Sequence, residues 1–117
     1  MFEVGIGIKI DEEEYGVTIL ENTAMRITMV KKLMADGFYC QKCIDVQERL
    51  EESGYISQID HFADYVENDA GSEGALLADY YQIDKAPFFI VEEKGKDAKV
   101  YTIYFKLVKD ILKKTAT

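Results

Sequence analysis

The sequence contains one proline, one histidine, two cysteines and no tryptophan in 117 residues. A single proline excludes a proline-rich linker, and two cysteines cannot form the several disulfides that staple small secreted domains. A structural zinc site needs about four ligands, so these residues leave the set incomplete unless a carboxylate joins or two chains share the ion. We therefore expect no metal site within the chain.

Positive charge and long apolar runs are also scarce. Lysine and arginine number 14 against 22 aspartate and glutamate residues, which gives a formal net charge of -8. Nucleic acid and anionic membranes are therefore disfavoured as partners, whereas a basic partner stays open. No apolar run approaches the ~18 residues of a membrane-spanning helix, and the first residues do not resemble a signal peptide. We expect a soluble cytoplasmic protein without membrane association.

Hydrophobic residues make up 48% of the chain, enough to bury the core of one domain. Alternation in Phe2–Ile10, followed by a β-rich run in Tyr15–Leu20, predicts an N-terminal hairpin within residues 1–24. Met25–Val30 is a third predicted strand, although its methionines would also suit a helical stripe. A helix is predicted from the cysteine pair to Gly54, and Ile59–Val66 favours a strand over a helix.

The second half of the chain predicts a helix, a β-hairpin and a final helix. Ser72 is the predicted cap of the first of these helices, which would carry four large side chains on one face: Leu76, Leu77, Tyr80 and Tyr81. The hairpin consists of two strands and a turn: Phe88–Val91, Lys94–Asp97 and Val100–Tyr104. The final amphipathic helix carries four regularly spaced apolar residues: Leu107, Val108, Ile111 and Leu112.

The two cysteines occur together as Cys40-Gln41-Lys42-Cys43, at the predicted start of a helix. The unpaired N–H groups of a helix N-terminus stabilise a thiolate, so Cys40 is the predicted nucleophile. Cys43 lies on the same helix face and would resolve the mixed disulfide formed at Cys40. Lys42, with Lys31 and Lys32 upstream, would add positive potential, although first-turn lysines are more often solvated surface residues.

Three features together resemble the thioredoxin and glutaredoxin superfamily. They are the segment Met34–Tyr39 leading into the Cys-x-x-Cys pair, the Ala86-Pro87 step before a strand, and the closing hairpin with its helix. The resemblance implies a thioredoxin-like α/β fold over residues 25–117, with a mixed central sheet flanked by helices. Residues 1–24 would then be an additional N-terminal β extension.

The resemblance also implies a substrate site. Pro87 would be cis and lie beside the sulfurs, and the Ala86-Pro87 backbone would pair with a bound peptide. Tyr39 would contribute to an apolar platform, whereas Phe88 and Phe89 are more often core residues. The chain departs from the family because it has no proline between its cysteines and no β-branched residue before Pro87.

The resemblance implies a redox-active disulfide without a further cofactor. Glutathione is not supported, since the chain lacks the Gly-Gly-x-Asp-Asp-like stretch that holds the glutathione carboxylate in glutaredoxins. The predicted function is thiol-disulfide exchange through Cys40 and Cys43, with a protein disulfide or a dedicated reductase as partner. The alternative is a non-catalytic binding or assembly module with a redox-sensing or metal-bridging cysteine pair. A homodimer through the N-terminal hairpin is a further expectation, and His61 is left out of the site.

Overall fold

The computed structural model describes residues 25–115, and the predicted hairpin in residues 1–24 lies outside them. The first described strand, β1 (Met25–Leu33), is longer than the sequence predicted. Its residues 27–30 are all buried, as expected for a central strand covered on both faces. The methionines of this segment therefore belong to a strand, not to a helical stripe.

Four strands form one mixed sheet: β1, β2 (His61–Val66), β3 (Phe88–Glu93) and β4 (Lys99–Tyr101). Their order across the sheet is β2-β1-β3-β4. Strands β1 and β2 are parallel, and β3 and β4 are antiparallel. The predicted strand at Val100–Tyr104 was too long, because Ile103 is the extended N-cap of a helix that begins at Tyr104.

Helix α1 (Gln41–Ser53) connects β1 to β2 and begins directly after Cys40, as predicted. Its buried residues Cys43, Val46 and Leu50 recur at helical spacing on one face. Gly54 ends the helix with φ +79°, the left-handed conformation that glycine adopts without steric cost. A short 3-10 helix (Tyr55–Gln58) then leads towards β2.

Helix α2 (Glu73–Tyr81) buries small side chains against the sheet, and its predicted apolar face is wrong in part: Leu77 and Tyr81 pack against the core, but Leu76 and Tyr80 do not. Its buried residues are Gly74, Ala75 and Ala78, whereas Leu76 is 57% exposed and Tyr80 is 77% exposed. A Cβ atom at Gly74 would lie 2.6 Å from the backbone carbon of Asp64. At Gly74 the helix therefore lies so close to β2 that no larger side chain would fit.

Ser72 is the N-cap residue of α2, as predicted, but its side chain does not cap the helix. The Ser72 hydroxyl accepts a hydrogen bond from the Val66 N–H at 3.0 Å and donates one to the Asp69 carbonyl at 2.8 Å. Ser72 thus connects the end of β2 to the loop that precedes α2.

The C-terminal helical segment, α3, comprises three consecutive parts: Tyr104–Leu107, a π-helical turn Val108–Leu112, and Lys113–Thr115. Leu107, Ile111 and Leu112 are buried as predicted, while Val108 is half-buried. The Tyr104 ring lies 6.4 Å from that of Phe89, centroid to centroid. Since side chains alternate along β3, this contact lies on the sheet face opposite to Phe88.

The core on the α2 side of the sheet contains five buried side chains: Val30, Ala63, Ala78, Phe88 and Ile90. Residues Glu92–Lys96 belong to the smaller of two compact units in the chain. Within them, the Lys96 N–H donates to the Glu93 carbonyl at 3.1 Å. Together with φ +80° at Gly95, this confirms the predicted turn.

The parallel β1–α1–β2 unit, followed by α2, the antiparallel β3–β4 hairpin and α3, confirms the predicted thioredoxin-like α/β fold.

Candidate dithiol site

Cys40 occupies the N-cap position of α1 and Cys43 lies one turn into the helix. Cys40 is extended (φ -61°, ψ 152°), and its Sγ accepts a hydrogen bond from the Cys43 N–H at 3.3 Å. The sulfur therefore takes the place of the oxygen that usually caps a helix. Cys40 is half-buried and Cys43 is fully buried.

A closed loop between β1 and α1 fixes the position of Cys40. The Met34 N–H donates to the Phe38 carbonyl at 2.8 Å, and the Cys40 N–H donates to the Lys32 carbonyl at 2.9 Å. Gly37 makes the turn with φ +89°, where residues with a Cβ rarely fit. The loop thus returns Cys40 to the end of β1, and its apolar tip residue Phe38 is 71% exposed.

The two cysteines are free, and their Sγ atoms share a hydrogen bond at 2.6 Å. Burial, followed by the hydrogen bond with Cys40, raises the pKa of Cys43 to about 12. The Lys32 N–H, which donates to the Cys43 Sγ at 3.3 Å, opposes this rise in pKa, as does the charge of Lys31. Cys43 is therefore a protonated thiol at neutral pH, and Cys40 is the less buried of the two cysteines.

Cys40 opens onto a groove of about 990 Å³ between the end of β1, α2 and the segment before β3. Ala86 lines this groove together with Cys40, and the Ala86-Pro87 peptide bond is cis, as predicted. Pro87 itself is buried. The groove contains both charged and apolar side chains, among them Lys32, Met34, Leu76, Asp79, Asp84 and Lys85.

Tyr39 lies on a second, smaller cavity of about 220 Å³, which it lines together with Lys31, Cys43 and Gln47. The Tyr39 hydroxyl donates to Asp64 Oδ1 at 2.9 Å, and Lys31 Nζ lies 4.2 Å from the centre of the Tyr39 ring. Burial, and then the hydrogen bond to Asp64, raise the pKa of Tyr39. Tyr39 thus lies on the Cys43 side of the pair and is not among the residues that line the groove at Cys40.

The remaining predicted residues lie outside both cavities. Lys42 is exposed on the first turn of α1. Phe88 and Phe89 are buried in the core, in agreement with the more ordinary of their two interpretations. His61 lies at the start of β2, with its Nε2 atom 2.8 Å from Glu73 Oε2.

The raised pKa of Cys43 predicts a loss of stability of the reduced protein in alkaline solution. An unfolded cysteine ionises near pH 8.5, whereas folded Cys43 ionises only near 12. The contribution of the protonated Cys43 thiol to the free energy of unfolding is therefore fully present below about pH 8.5 and is lost as the pH rises towards 12. We expect denaturant unfolding in the presence of reductant to give a free energy that falls by at most about 1.4 kcal/mol per pH unit in this range.

The matched control is Cys43→Ala, because tyrosines also titrate at high pH. The fall in stability between pH 8.5 and 11 should be smaller in the variant than in the parent protein. Equal slopes for the two proteins would show that Cys43 is not held as a thiol.

Within residues 25–115, no group of three or more histidine, cysteine, aspartate or glutamate side chains is placed to hold a metal ion. None of the helices that the structure describes is long and apolar enough to cross a bilayer.

No family model and no curated protein sequence matches the chain. Three thioredoxins of known structure are similar to it. That of Fasciola hepatica has 22% identity and a TM-score of 0.43, over 75% of this chain and 80% of that chain. Thioredoxin f2 of Chlamydomonas reinhardtii has 16% identity and a TM-score of 0.46, over 84% and 87%.

The third, the germline-specific thioredoxin Deadhead of Drosophila melanogaster, has 12% identity and a TM-score of 0.41, over 72% of this chain and 76% of that chain. The chain has a thioredoxin-like fold, as its strand order and strand directions show.

Proposed function

We propose that this protein is a thiol-disulfide oxidoreductase that exchanges electrons with protein disulfides through Cys40 and Cys43. One observation carries the proposal: the half-buried Cys40 sulfur caps α1 at the edge of a groove, with the buried Cys43 sulfur 2.6 Å behind it. A purely structural cysteine pair needs no opening to solvent at one sulfur. The two environments therefore favour separate chemical roles.

The reaction begins with the Cys40 thiolate. It attacks one sulfur of a substrate disulfide, forming a mixed disulfide and releasing the other substrate sulfur as a thiolate, which takes up a proton. Cys43 then loses its proton and attacks Cys40 Sγ. This step breaks the mixed disulfide, releases the second substrate thiolate and leaves a Cys40–Cys43 disulfide. Two protein thiols are oxidised, and one substrate disulfide is reduced by two electrons.

The groove supports a polypeptide as substrate. It is an open groove that continues from Cys40 along α2 to Ala86, and its volume of about 990 Å³ is large enough for an extended peptide segment. A dedicated reductase would use the same surface to reduce the oxidised pair. We place the reaction in the cytoplasm, where reducing systems return such pairs to the dithiol form.

The test of this proposal is the stoichiometry of reaction with 4,4′-dithiodipyridine, a neutral disulfide that releases a thione with a strong ultraviolet absorbance. The reduced protein should release two equivalents and end as a monomer that has lost two hydrogens, with Cys40 joined to Cys43 in peptide mass maps. Release of one equivalent with a lasting adduct on Cys40 would contradict the proposal. That result would favour the non-catalytic binding or assembly module.

A further inference from the structure

The side chain of Lys31 is held at one place by three neighbours. Lys31 Nζ donates to Gln47 Oε1 at 3.0 Å, and it lies 4.2 Å from the centre of the Tyr39 ring and 5.0 Å from that of Phe62. Cation–π contacts and a hydrogen bond of this kind restrict a long, flexible side chain. The Lys31 ammonium group is therefore a fixed charge.

This charge lies on the side of the site that contains Cys43. Gln47 follows Cys43 by four residues, so the two side chains occupy neighbouring positions on one face of α1. Lys31, Gln47 and Cys43 line the same cavity of about 220 Å³. Lys32, the next residue of β1, directs its Nζ to the Tyr65 ring at 5.6 Å and lines the groove of Cys40 instead.

A second set of contacts fixes the Tyr39 ring that lies against Lys31. Lys31 pairs with Asp64 in the register of β1 and β2, and the Asp64 carboxylate accepts the hydrogen bond of Tyr39. This bond orients the ring whose face meets the ammonium group. Lys31, Tyr39, Asp64 and Gln47 thus form one connected cluster beside the resolving cysteine.

We propose that Lys31 is a positioning residue for the second step of exchange, in which its ammonium group stabilises the thiolate that forms on Cys43. This inference rests on the proposed function. In the mixed disulfide Cys40 no longer carries a negative charge. Burial then still raises the pKa of Cys43, and the Lys32 N–H and the Lys31 charge lower it. The Lys32 N–H belongs to the backbone, whereas the Lys31 charge can be removed by substitution.

The titratable groups around Cys43 come from several elements. They are Lys31 on β1, Tyr39 and Cys40 before α1, Asp64 on β2 through its bond to Tyr39, and Glu48 and Glu51 on α1. Glu48 and Glu51 are exposed, so solvent and salt weaken their influence. Lys31 is half-buried and acts through a less polar medium.

The experiment follows the two phases of thione release from 4,4′-dithiodipyridine in the full chain. The first phase reports attack by Cys40 and depends on reagent concentration, whereas the second reports attack by Cys43 and does not. If loss of the Lys31 charge raises the pKa of Cys43 by one unit, the thiolate fraction of Cys43 falls about tenfold. A more basic thiolate is about threefold more nucleophilic, so the net effect is about threefold.

We expect Lys31→Met to slow the second phase about threefold at neutral pH and to move its pH profile upwards, with a smaller effect on the first phase. Lys31→Arg should largely restore the second phase. Lys106→Met removes a charge from an exposed position on α3 that lines neither cavity, and should change neither phase.

An unchanged second phase in Lys31→Met, or equal slowing of both phases, would overturn the inference. If Lys31→Met does not fold, Gln47→Met keeps the charge but removes its hydrogen-bond acceptor, and it must slow the second phase selectively. Release of only one equivalent of thione by the parent protein, with a lasting adduct on Cys40, would instead refute the proposed function, so the two failures are distinguishable.

Discussion

Replacement of Cys40 by serine is expected to lower catalytic disulfide reduction by several orders of magnitude, because a serine hydroxyl is not ionised at neutral pH and cannot replace the thiolate. Cys43→Ser should also block turnover, but at a later step. Its Cys40 would still attack, and the substrate would remain attached as a mixed disulfide, since no second sulfur is available to release it.

The measurement combines turnover with mass spectrometry of each variant after reaction with a peptide disulfide. Cys43→Ser should carry one peptide on Cys40, and Cys40→Ser should carry none, because Cys43 is fully buried and protonated. A peptide attached to Cys43 in Cys40→Ser, or normal turnover by either variant, would show that the two roles are assigned wrongly.

The second large effect is expected on stability. At Gly74 a new Cβ would meet the backbone of β2, lying 2.7 Å from Tyr65 Cα and closer still to the Tyr65 nitrogen. Backbone atoms of a sheet cannot turn aside as a flexible side chain can, so α2 must move away from the sheet. We expect Gly74→Ala to lower the free energy of unfolding by about 2 kcal/mol, although alanine favours helix formation.

Gly71→Ala is the matched control, since it makes the same chemical change two residues before α2. A Cβ there would meet only Asp69 Oδ1, at an ordinary contact distance of 3.5 Å. We expect its stability to lie within about 0.5 kcal/mol of the parent protein in urea unfolding. Equal stability of the Gly74→Ala and Gly71→Ala proteins would refute the close packing of α2 on β2.

We expect Gly74→Ala to lower activity only to the extent that it moves the groove at Cys40. Leu76 and Asp79 of α2 line the groove that opens at Cys40, and they would shift with the helix. Reaction of Cys40 with a small disulfide should therefore be less affected than reaction with a peptide disulfide.

Much of the strand and helix order could be predicted from the sequence because apolar runs and turn residues mark it. The start of α1 at Cys40 and its end at Gly54 follow from local signals that the structure retains. The inward face of α2 could be found only in part in this way, since Leu77 and Tyr81 pack against the core but Leu76 and Tyr80 are exposed. Hydropathy favours Leu76 and Tyr80, whereas the actual face is set by how closely the helix approaches β2. The small residues Gly74 and Ala78, four apart, were the available signal.

The site was predictable in its chemistry but not in its arrangement. The spacing of Cys40 and Cys43 indicated that both cysteines lie at the start of one helix, and the family resemblance indicated the cis bond before Pro87. The position of Tyr39 depends on tertiary contacts. Its hydroxyl reaches Asp64 on a strand 25 residues away in sequence, so no local pattern could direct it to the Cys43 side.

The lysines illustrate the same limit. Lys42 lies between the cysteines in sequence but is exposed, whereas Lys31 is nine residues before Cys40 and shares a cavity with Cys43. Alternation along β1 sends Lys31 and Lys32 to opposite faces of the sheet. The sequence indicated several lysines near the cysteine pair, and the fold decides which of the two cavities Lys31 and Lys32 line.

The most direct test of the central claim is the redox midpoint of the Cys40–Cys43 pair, measured by equilibration in graded dithiol buffers and trapping of free thiols. Thiol-disulfide exchange predicts a reversible two-electron transition between about -220 and -320 mV that is absent from Cys40→Ser. Failure of the two cysteines to form an intrachain disulfide in any of these buffers would contradict the claim and leave the pair a binding or structural feature.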